Sequence, residues 1–366
     1  MASIYEIHFP LTSAVGGGPP PPGSQDHFAP KYLVGNVPKG DSATAYSSGG
    51  FQYIPDTGNG AGIAAAIAAA TASPGDIWIR PGTYNLTSAG APASPYAVPS
   101  GVLVRGAGNS TVINGRLTGN QTVFTLATTS ELRDLRINVI GEFNSILGDG
   151  VVECNGSTSS PSRVERVDIQ LSNLGGSTLL KAAILAGKAS ARIVACRFFL
   201  PDFDEQSPTG GVSGVQVDGI QGFASVSRCL ATRSGNSFGC AYVAFGGARL
   251  DLSESSSSFA SLAGVLVSGG GLAIQSRVSV SECNITSQGS SCIVSDGTIR
   301  VSDCDLSALQ SNAILSTGRG VITGNTVLGA MDTSGGSNHV ITTNFFLPTA
   351  TLLPSATDEV AHNVFA

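Results

Sequence analysis

The segments VSECNI (280–285) and VSDCDL (301–306) repeat one pattern at an interval of 21 residues, and that pattern decides the fold. Written φ-x-x-Z-x-φ, it recurs upstream as LRDLRI (132–137), VERVDI (164–169), IVACRF (193–198), VSRCLA (226–231) and LSESSS (252–257). Downstream it recurs as ITGNTV (322–327), ITTNFF (341–346) and VAHNVF (360–365). The first φ is aliphatic throughout, and the last is Ile, Phe, Leu or Val except at Ala231 and Ser257. Successive copies start 32, 29, 33, 26, 28, 21, 21, 19 and 19 residues apart. Between them lies a second short strand rich in Val and Ile: VVEC (151–154), AAIL (182–185), GVQV (214–217), AYVA (241–244), GVLV (264–267), CIVS (292–295) and AILS (313–316). Self-similarity at such a period marks a solenoid. A sandwich or barrel of short strands needs hairpin turns, and clean Asn-Gly signals are missing between the copies. The expected fold is therefore all-β, a right-handed parallel β-helix. Roughly twelve rungs at about 4.8 Å each give a rod about 55 Å long.

Stacking puts equivalent residues of successive rungs directly above one another. The Z column reads Leu135, Val167, Cys196, Cys229, Ser255, Cys283, Cys304, Asn325, Asn344 and Asn363. Asn325, Asn344 and Asn363 are expected to form an amide ladder that satisfies buried donors and acceptors in a row. Cys196 next to Cys229, and Cys283 next to Cys304, extend the same column as small buried groups. The rung spacing is within disulfide range, but parallel side-chain vectors make the torsion awkward, so no bond is expected. Cys154, Cys240 and Cys292 fall on the second strand and read as core. Seven cysteines in 366 residues are not a disulfide framework, and no Cys-x-x-Cys pair suggests zinc.

The chain before this repeat divides in two. Residues 1–58 hold a Gly- and Pro-rich run, Gly16 to Gly23, and a polar stretch from Asp41 to Gly50. This reads as an extended arm with a polyproline-like piece. Its apolar islands Ile4, Ile7, Phe9 and Leu11 favour an arm that orders on a partner. Residues 59–366 are then the β-helix domain. Within it GIAAAIAAATA (62–72) predicts a helix, with Ile63 and Ile67 on one stripe and Pro74-Gly75 as the stop. A short helix ahead of a solenoid suits a cap over the open end of its core.

Composition narrows the functional classes. The chain is 42% apolar and only 12% charged, so its polar surface must come largely from Ser, Thr, Asn and Gly. A net charge of −6 gives no footprint for nucleic acid or an anionic membrane. No apolar run reaches eighteen residues, so no membrane span is expected, and MASIYEIHFPL lacks the features of a signal peptide. The expectation is a protein made in a host cytoplasm and assembled into a particle there.

Chemistry has few candidates. The longest excursions, near 141–149, 171–180, 199–212 and 232–239, leave from the same corner and should form one rim. The most acidic holds Asp202, Asp204 and Glu205, which could bind calcium or act as an acid/base pair on sugar, with Asp218 on the following strand as partner. A lone acidic loop lacks the further ligands of a metal site and is usually a solvated tip. Glu142 and Asp149 sit on an earlier rim loop. His8, His27, His339 and His362 are scattered, and no Ser/His/Asp set is evident. Gly106-Ala107-Gly108 and Gly269-Gly270-Gly271 read as turns, because no helix follows to make a phosphate loop. No cofactor is expected.

The stretch GIAAAIAAATASPGDIWIRPGTYNL (62–86), followed by VPSGVLVRGAGNSTVI (98–113), resembles the entry segment of the pectate-lyase-like β-helix superfamily. The resemblance covers roughly residues 60–366 and is specific for fold. It implies polysaccharide lyases and hydrolases, but also viral tailspikes and non-catalytic virion proteins. The enzymes' residues do not carry over: no matching cluster of Asp ligands with an Arg is found. The Asn-Thr-Asp, Asp-Asp, Gly-His-Gly and Arg-Ile-Lys patterns are also missing. Trp78, the single tryptophan, lies on a core strand of the resemblance rather than on a sugar platform. The sequence thus leans away from an enzyme and towards a virion structural protein, a phage capsid decoration or spike. That reading expects a homotrimer docked on capsid or tail proteins through residues 1–58, with a glycan as a further partner. A polysaccharide lyase or hydrolase, and an adhesin or component of a contractile injection system, are the alternatives.

Overall fold

The structure is a computed structural model and describes residues 30–35, 51–86, 96–115, 122–140, 150–172, 182–200, 213–233, 240–260, 263–269, 275–287 and 291–366. Its strands wind into a parallel β-helix with three faces, named A, B and C here. Face A runs from Gln52–Pro55 and Tyr32–Gly35 through Ile77–Ile79 and Leu103–Arg105 to Glu359–Ala361. Face B runs from Gly82–Asn85 through Thr111–Gly115 to Val364–Phe365. Face C runs from Tyr96–Val98 through Gly150–Cys154 to Thr351–Leu353. Every ladder between described strands is parallel and nearly all keep register, as with Val226↔Leu252↔Val280↔Val301↔Ile322↔Ile341 on face A.

The second strand of the sequence pattern is face C: AAIL lies in Ala182–Gly187 and GVQV in Ser213–Asp218. The φ-x-x-Z-x-φ segment is not one straight strand. It spans the end of face A, a sharp corner and the start of face B. The corner residue is the one before Z, and it is left-handed in all ten copies: Asp134, Arg166, Ala195, Arg228, Glu254, Glu282, Asp303, Gly324, Thr343 and His362 have φ between 47° and 71°. A residue with a Cβ pays about 1–2 kcal/mol for that conformation. The strain persists because the corner lets φ at both ends point inward.

Inside, the column positions fill one contiguous core. Leu132, Leu135, Ile137, Val164, Val167, Ile169, Ile193, Phe198, Val226 and Leu252 are all buried in it. Each fully buried aliphatic or aromatic side chain contributes about 1.5–3 kcal/mol. In the C-terminal rungs faces B and C merge into continuous strands, Asp305–Ser316 and Thr326–Asp332, which accounts for their short repeat.

A helix, α1 (Ala61–Ala72), packs Ile63, Ala66, Ile67 and Ala70 against the N-terminal end of this core. Its start is held by Asp56, a buried carboxylate. Asp56 Oδ1 accepts from the backbone N–H groups of Gly58 (2.7 Å), Asn59 (3.1 Å) and Gly60 (3.1 Å), and Oδ2 accepts from Gly62 (2.7 Å). An anion there satisfies the orphan donors of the helix and complements its dipole. Tyr32 Oη donates to Ala69 O at the other end (3.0 Å).

The domain boundary differs from the sequence reading of 1–58 as arm. Tyr32–Gly35 and Gln52–Pro55 are rungs of face A, with Tyr32 and Val34 in the core, so the solenoid begins before residue 59. The physical reason is the short apolar run YLVG, which pairs between two other strands. The Pro-rich run and the apolar islands at residues 4–11 lie outside the described residues.

Candidate functional site

The corner leaves one backbone donor per rung without a backbone acceptor. At the corner of Cys196, the N–H of Ala195 donates to Ser227 O (2.9 Å), and the N–H of Leu230 donates back to Cys196 O (2.9 Å). The N–H of Cys196 itself finds Cys229 Sγ, 3.4 Å away in the next rung. The same step repeats along the column. Cys229 N donates to Ser255 Oγ (3.0 Å), Cys304 N to Asn325 Oδ1 (3.0 Å), Asn325 N to Asn344 Oδ1 (3.1 Å) and Asn344 N to Asn363 Oδ1 (3.0 Å). Z is therefore an acceptor position, and Cys, Ser and Asn all serve.

Asparagine adds donors to this. Asn325 Nδ2 donates to Asn344 Oδ1 (2.9 Å) and to Val301 O (3.2 Å). Asn344 Nδ2 donates to Asn363 Oδ1 (3.0 Å) and to Ile322 O (3.1 Å). All seven cysteines are free and buried. Burial pushes the thiols of Cys154, Cys240 and Cys292 up to about 12. The Cys304 thiol donates to Ser302 O (3.1 Å), and its interaction with the neighbouring Cys283 raises Cys304 and lowers Cys283.

Of the acidic candidates, Asp202, Asp204 and Glu205 lie outside the described residues, as do Glu142 and Asp149. Asp218 ends the face C strand Ser213–Asp218, half-buried. Its Oδ1 accepts from Gln216 Nε2 (2.8 Å) and its carbonyl accepts from Lys188 N (2.8 Å). Glu153 shares the outward column of Gln216, two rungs earlier.

Three arrangements were not read from the sequence. The first is a second amide row, on the outer side of face B. Asn114 Nδ2 donates to Asn85 Oδ1 (2.7 Å) and Asn138 Nδ2 to Asn114 Oδ1 (3.0 Å). Arg136 ties Asn138 (2.8 Å) to Gln170 of the next rung. Its signal was an Asn at one register position of three successive strands, hidden by intervals of 29 and 24 residues.

The second is a charge network over the N-terminal rungs. Asp134 takes Arg105 (2.9 Å) and Arg166 (2.6 Å), and Glu165 takes Arg163 (2.6 Å) and Arg133 (3.5 Å). Arg197 forks onto Asp168 beside it.

The third is Ser316–His339–Asp358. His339 Nε2 lies 2.9 Å from Ser316 Oγ and Nδ1 lies 3.2 Å from Asp358 Oδ1. A carboxylate can only accept, so Nδ1 carries its proton towards Asp358. The connectivity is that of a hydrolase triad, but Ser316 and His339 are both 0% exposed, so Oγ has no route to a substrate. The trio instead pins three successive rungs. Burial alone would push Asp358 up, but donors from Thr333, His339 N–H and Ser355 outweigh it and hold its carboxyl well below the usual range.

No family model matches the chain, and no curated protein matches it. Among solved structures it is similar to PfbA, a surface adhesin of Streptococcus pneumoniae, at 10% identity and TM-score 0.49, over 84% of this chain and 89% of that one. It is similar to tailspike protein 3 of bacteriophage CBA120 at 12% identity and TM-score 0.36, over 82% of this chain and 58% of that one. It is also similar to the catalytic domain of a GH87 α-1,3-glucanase at 11% identity and TM-score 0.39, over 79% of this chain and 63% of that one. The chain thus spans less than two thirds of the last two. At these identities the likeness concerns architecture and transfers no residue role.

Proposed function

We propose that this chain is a rigid structural rod of a virion, a capsid decoration or spike protein, docked through its N-terminal segment and assembled as a homotrimer. The supporting observation is the hydrogen-bonded Z column, which joins Cys196, Cys229 and Ser255 and then Cys304, Asn325, Asn344 and Asn363 rung by rung. Such a column serves stiffness along the axis rather than chemistry at one point. The proposed docking segment is residues 1–58 apart from the face A strands Tyr32–Gly35 and Gln52–Pro55. An antibody raised against the purified chain tests this on particles prepared from the source culture. Regular labelling of particle projections supports the reading, and chain found only in the particle-free fraction overturns it.

A second reading, attachment to or cleavage of a glycan, is favoured by the half-buried amide row Asn85, Asn114 and Asn138 on the outer side of face B, with Arg136 at its end. Amides and guanidinium groups in a row suit a polyhydroxylated chain. Release of reducing or unsaturated ends from a polysaccharide panel, abolished by Asp204→Ala or Asp218→Ala, would replace the structural reading with an enzymatic one.

A further inference from the structure

Several outward arginines of face A share one arrangement. Arg133, Arg163 and Arg249 each pair with a carboxylate two residues away on their own strand, Glu131, Glu165 and Asp251. Over the three rungs after Arg249 that arrangement is lost. Register stacks Arg249, Arg277, Thr298 and Arg319 in one outward column and Asp251, Ser279, Arg300 and Val321 in the next. The column that offers Arg249 its carboxylate thus offers the later arginines a serine, another arginine and a valine. Arg277, Arg300 and Arg319 are exposed. Among the described residues none of the three makes an ion pair. They surround Thr298: Arg277 and Arg319 are its register partners in the rungs on either side, and Arg300 stands two residues on along its own strand. A rung spacing of about 4.8 Å and a two-residue step of about 6.6 Å put all three backbones within about 7 Å of Thr298. Arg319 Nε donates to Thr298 Oγ1 (3.4 Å), which leaves the hydroxyl proton free for another acceptor. The carboxylate of Asp296, two residues before Thr298, accepts from Gly269 N–H (2.5 Å) and Ser268 Oγ (3.2 Å). Glu282 and Asp303 occupy the far corner of the face, five residues on from Arg277 and three on from Arg300. That is about 10 Å or more along the strand, beyond the screening length of about 8 Å at physiological salt.

We infer that Arg277, Arg300, Arg319 and Thr298 form a binding site for a tetrahedral oxyanion group, a phosphate or a sulfate. The chain has 19 basic residues and a net charge of −6, yet three arginines gather here without a carboxylate. Like charges held this close repel, and an anion among them replaces the repulsion with attraction. A guanidinium stays charged at any working pH and presents a planar fork of donors. A carboxylate has two oxygens in one plane, and a single fork occupies both, as Asp251 does with Arg249 Nε (3.3 Å) and Nη2 (2.8 Å). A phosphate or sulfate has oxygens pointing in several directions, so it can take forks from three sides and the Thr298 hydroxyl as well. The site is on face A, apart from the amide row of face B, and it stands or falls separately from the virion assignment.

The test is calorimetric titration of the full-length protein with inorganic phosphate, sulfate and acetate at one fixed ionic strength. Phosphate and sulfate are each expected to saturate a single site per chain, and acetate to give no saturable heat. Arg277→Gln and Arg300→Gln should each weaken the oxyanions about ten-fold or more, since each removes charge-assisted hydrogen bonds. Arg192→Gln removes an exposed arginine elsewhere on face A and should leave the affinity unchanged. Unchanged urea midpoints for these exposed variants separate lost binding from lost folding. Sulfated dextran distinguishes the sources of the group. Tighter binding of the polymer, lost in the same two variants, assigns the site to an ester carried on a chain, and equal affinity assigns it to the free ion. No saturable heat with either oxyanion, acetate binding as well as they do, an affinity that survives both Arg277→Gln and Arg300→Gln, or an equal loss in Arg192→Gln overturns the inference.

Discussion

Replacing Asn344 tests the Z column at its most connected point. Its side chain is fully buried and makes four hydrogen bonds: it accepts from Asn325 N–H and Nδ2 and donates to Ile322 O and Asn363 Oδ1. In Asn344→Ala the N–H of Asn325 loses its acceptor inside the rod. Such an orphan costs about 1–3 kcal/mol. The carbonyl of Ile322 loses a donor, while Asn325 Nδ2 keeps Val301 O. The expected loss is about 3 kcal/mol. Asn344→Ser should lose about half of that, because Ser255 shows a hydroxyl doing this work: it takes the N–H of Cys229 and donates to Ser253 O (2.8 Å). Asn363→Ala, in the last and half-exposed rung, should cost about 1 kcal/mol or less.

A solenoid is close to a one-dimensional chain of neighbours, so the loss should appear as local opening of the final rungs. The assay is hydrogen exchange of residues 322–366, with urea unfolding followed by circular dichroism alongside. Asn344→Ala should lower protection in that segment by about a hundred-fold and leave residues 160–230 unchanged; a hundred-fold is about 2.7 kcal/mol. Equal effects of Ala and Ser at this position would refute the acceptor account of Z, since the two differ in little but the hydroxyl.

Three further outcomes follow from other parts of the rod. Ala195→Gly should stabilise by about 0.5–1 kcal/mol and Gly324→Ala should destabilise by about 1–2, both read from urea midpoints, because both corners are left-handed. The seven buried thiols should be silent to a thiol reagent at pH 8 in native protein and all react in guanidinium; one fast thiol in the native state would contradict their burial. Asp358 has a folded pKa below its unfolded one, so its contribution is present above about pH 4 and is lost as pH falls towards the folded value. Asp358→Asn should therefore lower stability near neutrality and flatten the acid limb of a pH–stability curve; an unchanged acid limb would sink that account.

The period and the face C strands were legible because buried parallel strands write continuous apolar runs. The Z column was legible because identical positions stack. The corner was not, although its residue stands directly before Z in every copy. Asp, Arg, Ala, Glu, Thr and His share no side-chain property there, and what they share is a backbone conformation that only Gly324 announces. The Asn85–Asn114–Asn138 row was hidden because two of its three strands precede the first copy of the repeat. Ser316–His339–Asp358 was invisible since its members sit 23 and 19 residues apart with no shared motif. The arm was overextended because YLVG is too short to weigh as a strand without its neighbours. The acidic loop at 202–205 stays an expectation, and its one described partner, Asp218, is already engaged by Gln216.

The change of the Z residue along the rod follows from how much else each rung can bury. The rungs at Val167 and Cys196 close over 29 to 33 residues and carry many inward apolar groups, such as Ile169, Leu171, Ile184 and Phe198. There an apolar or weakly polar Z suffices, because packing holds neighbouring rungs together. The rungs at Asn325 and Asn344 close over 19 residues and bury few large groups, chiefly Ile322, Val327, Met331, Ile341 and Phe346. With less apolar area per rung, cohesion must come from directed bonds, and asparagine can both accept and donate along the axis where cysteine chiefly accepts. The buried His339–Asp358 pair and the Thr333 and Ser355 donors fall in these same rungs. The polar ladder is thus the narrow rungs' substitute for a core, and the rod stays continuous to its thin end because one kind of cohesion replaces the other.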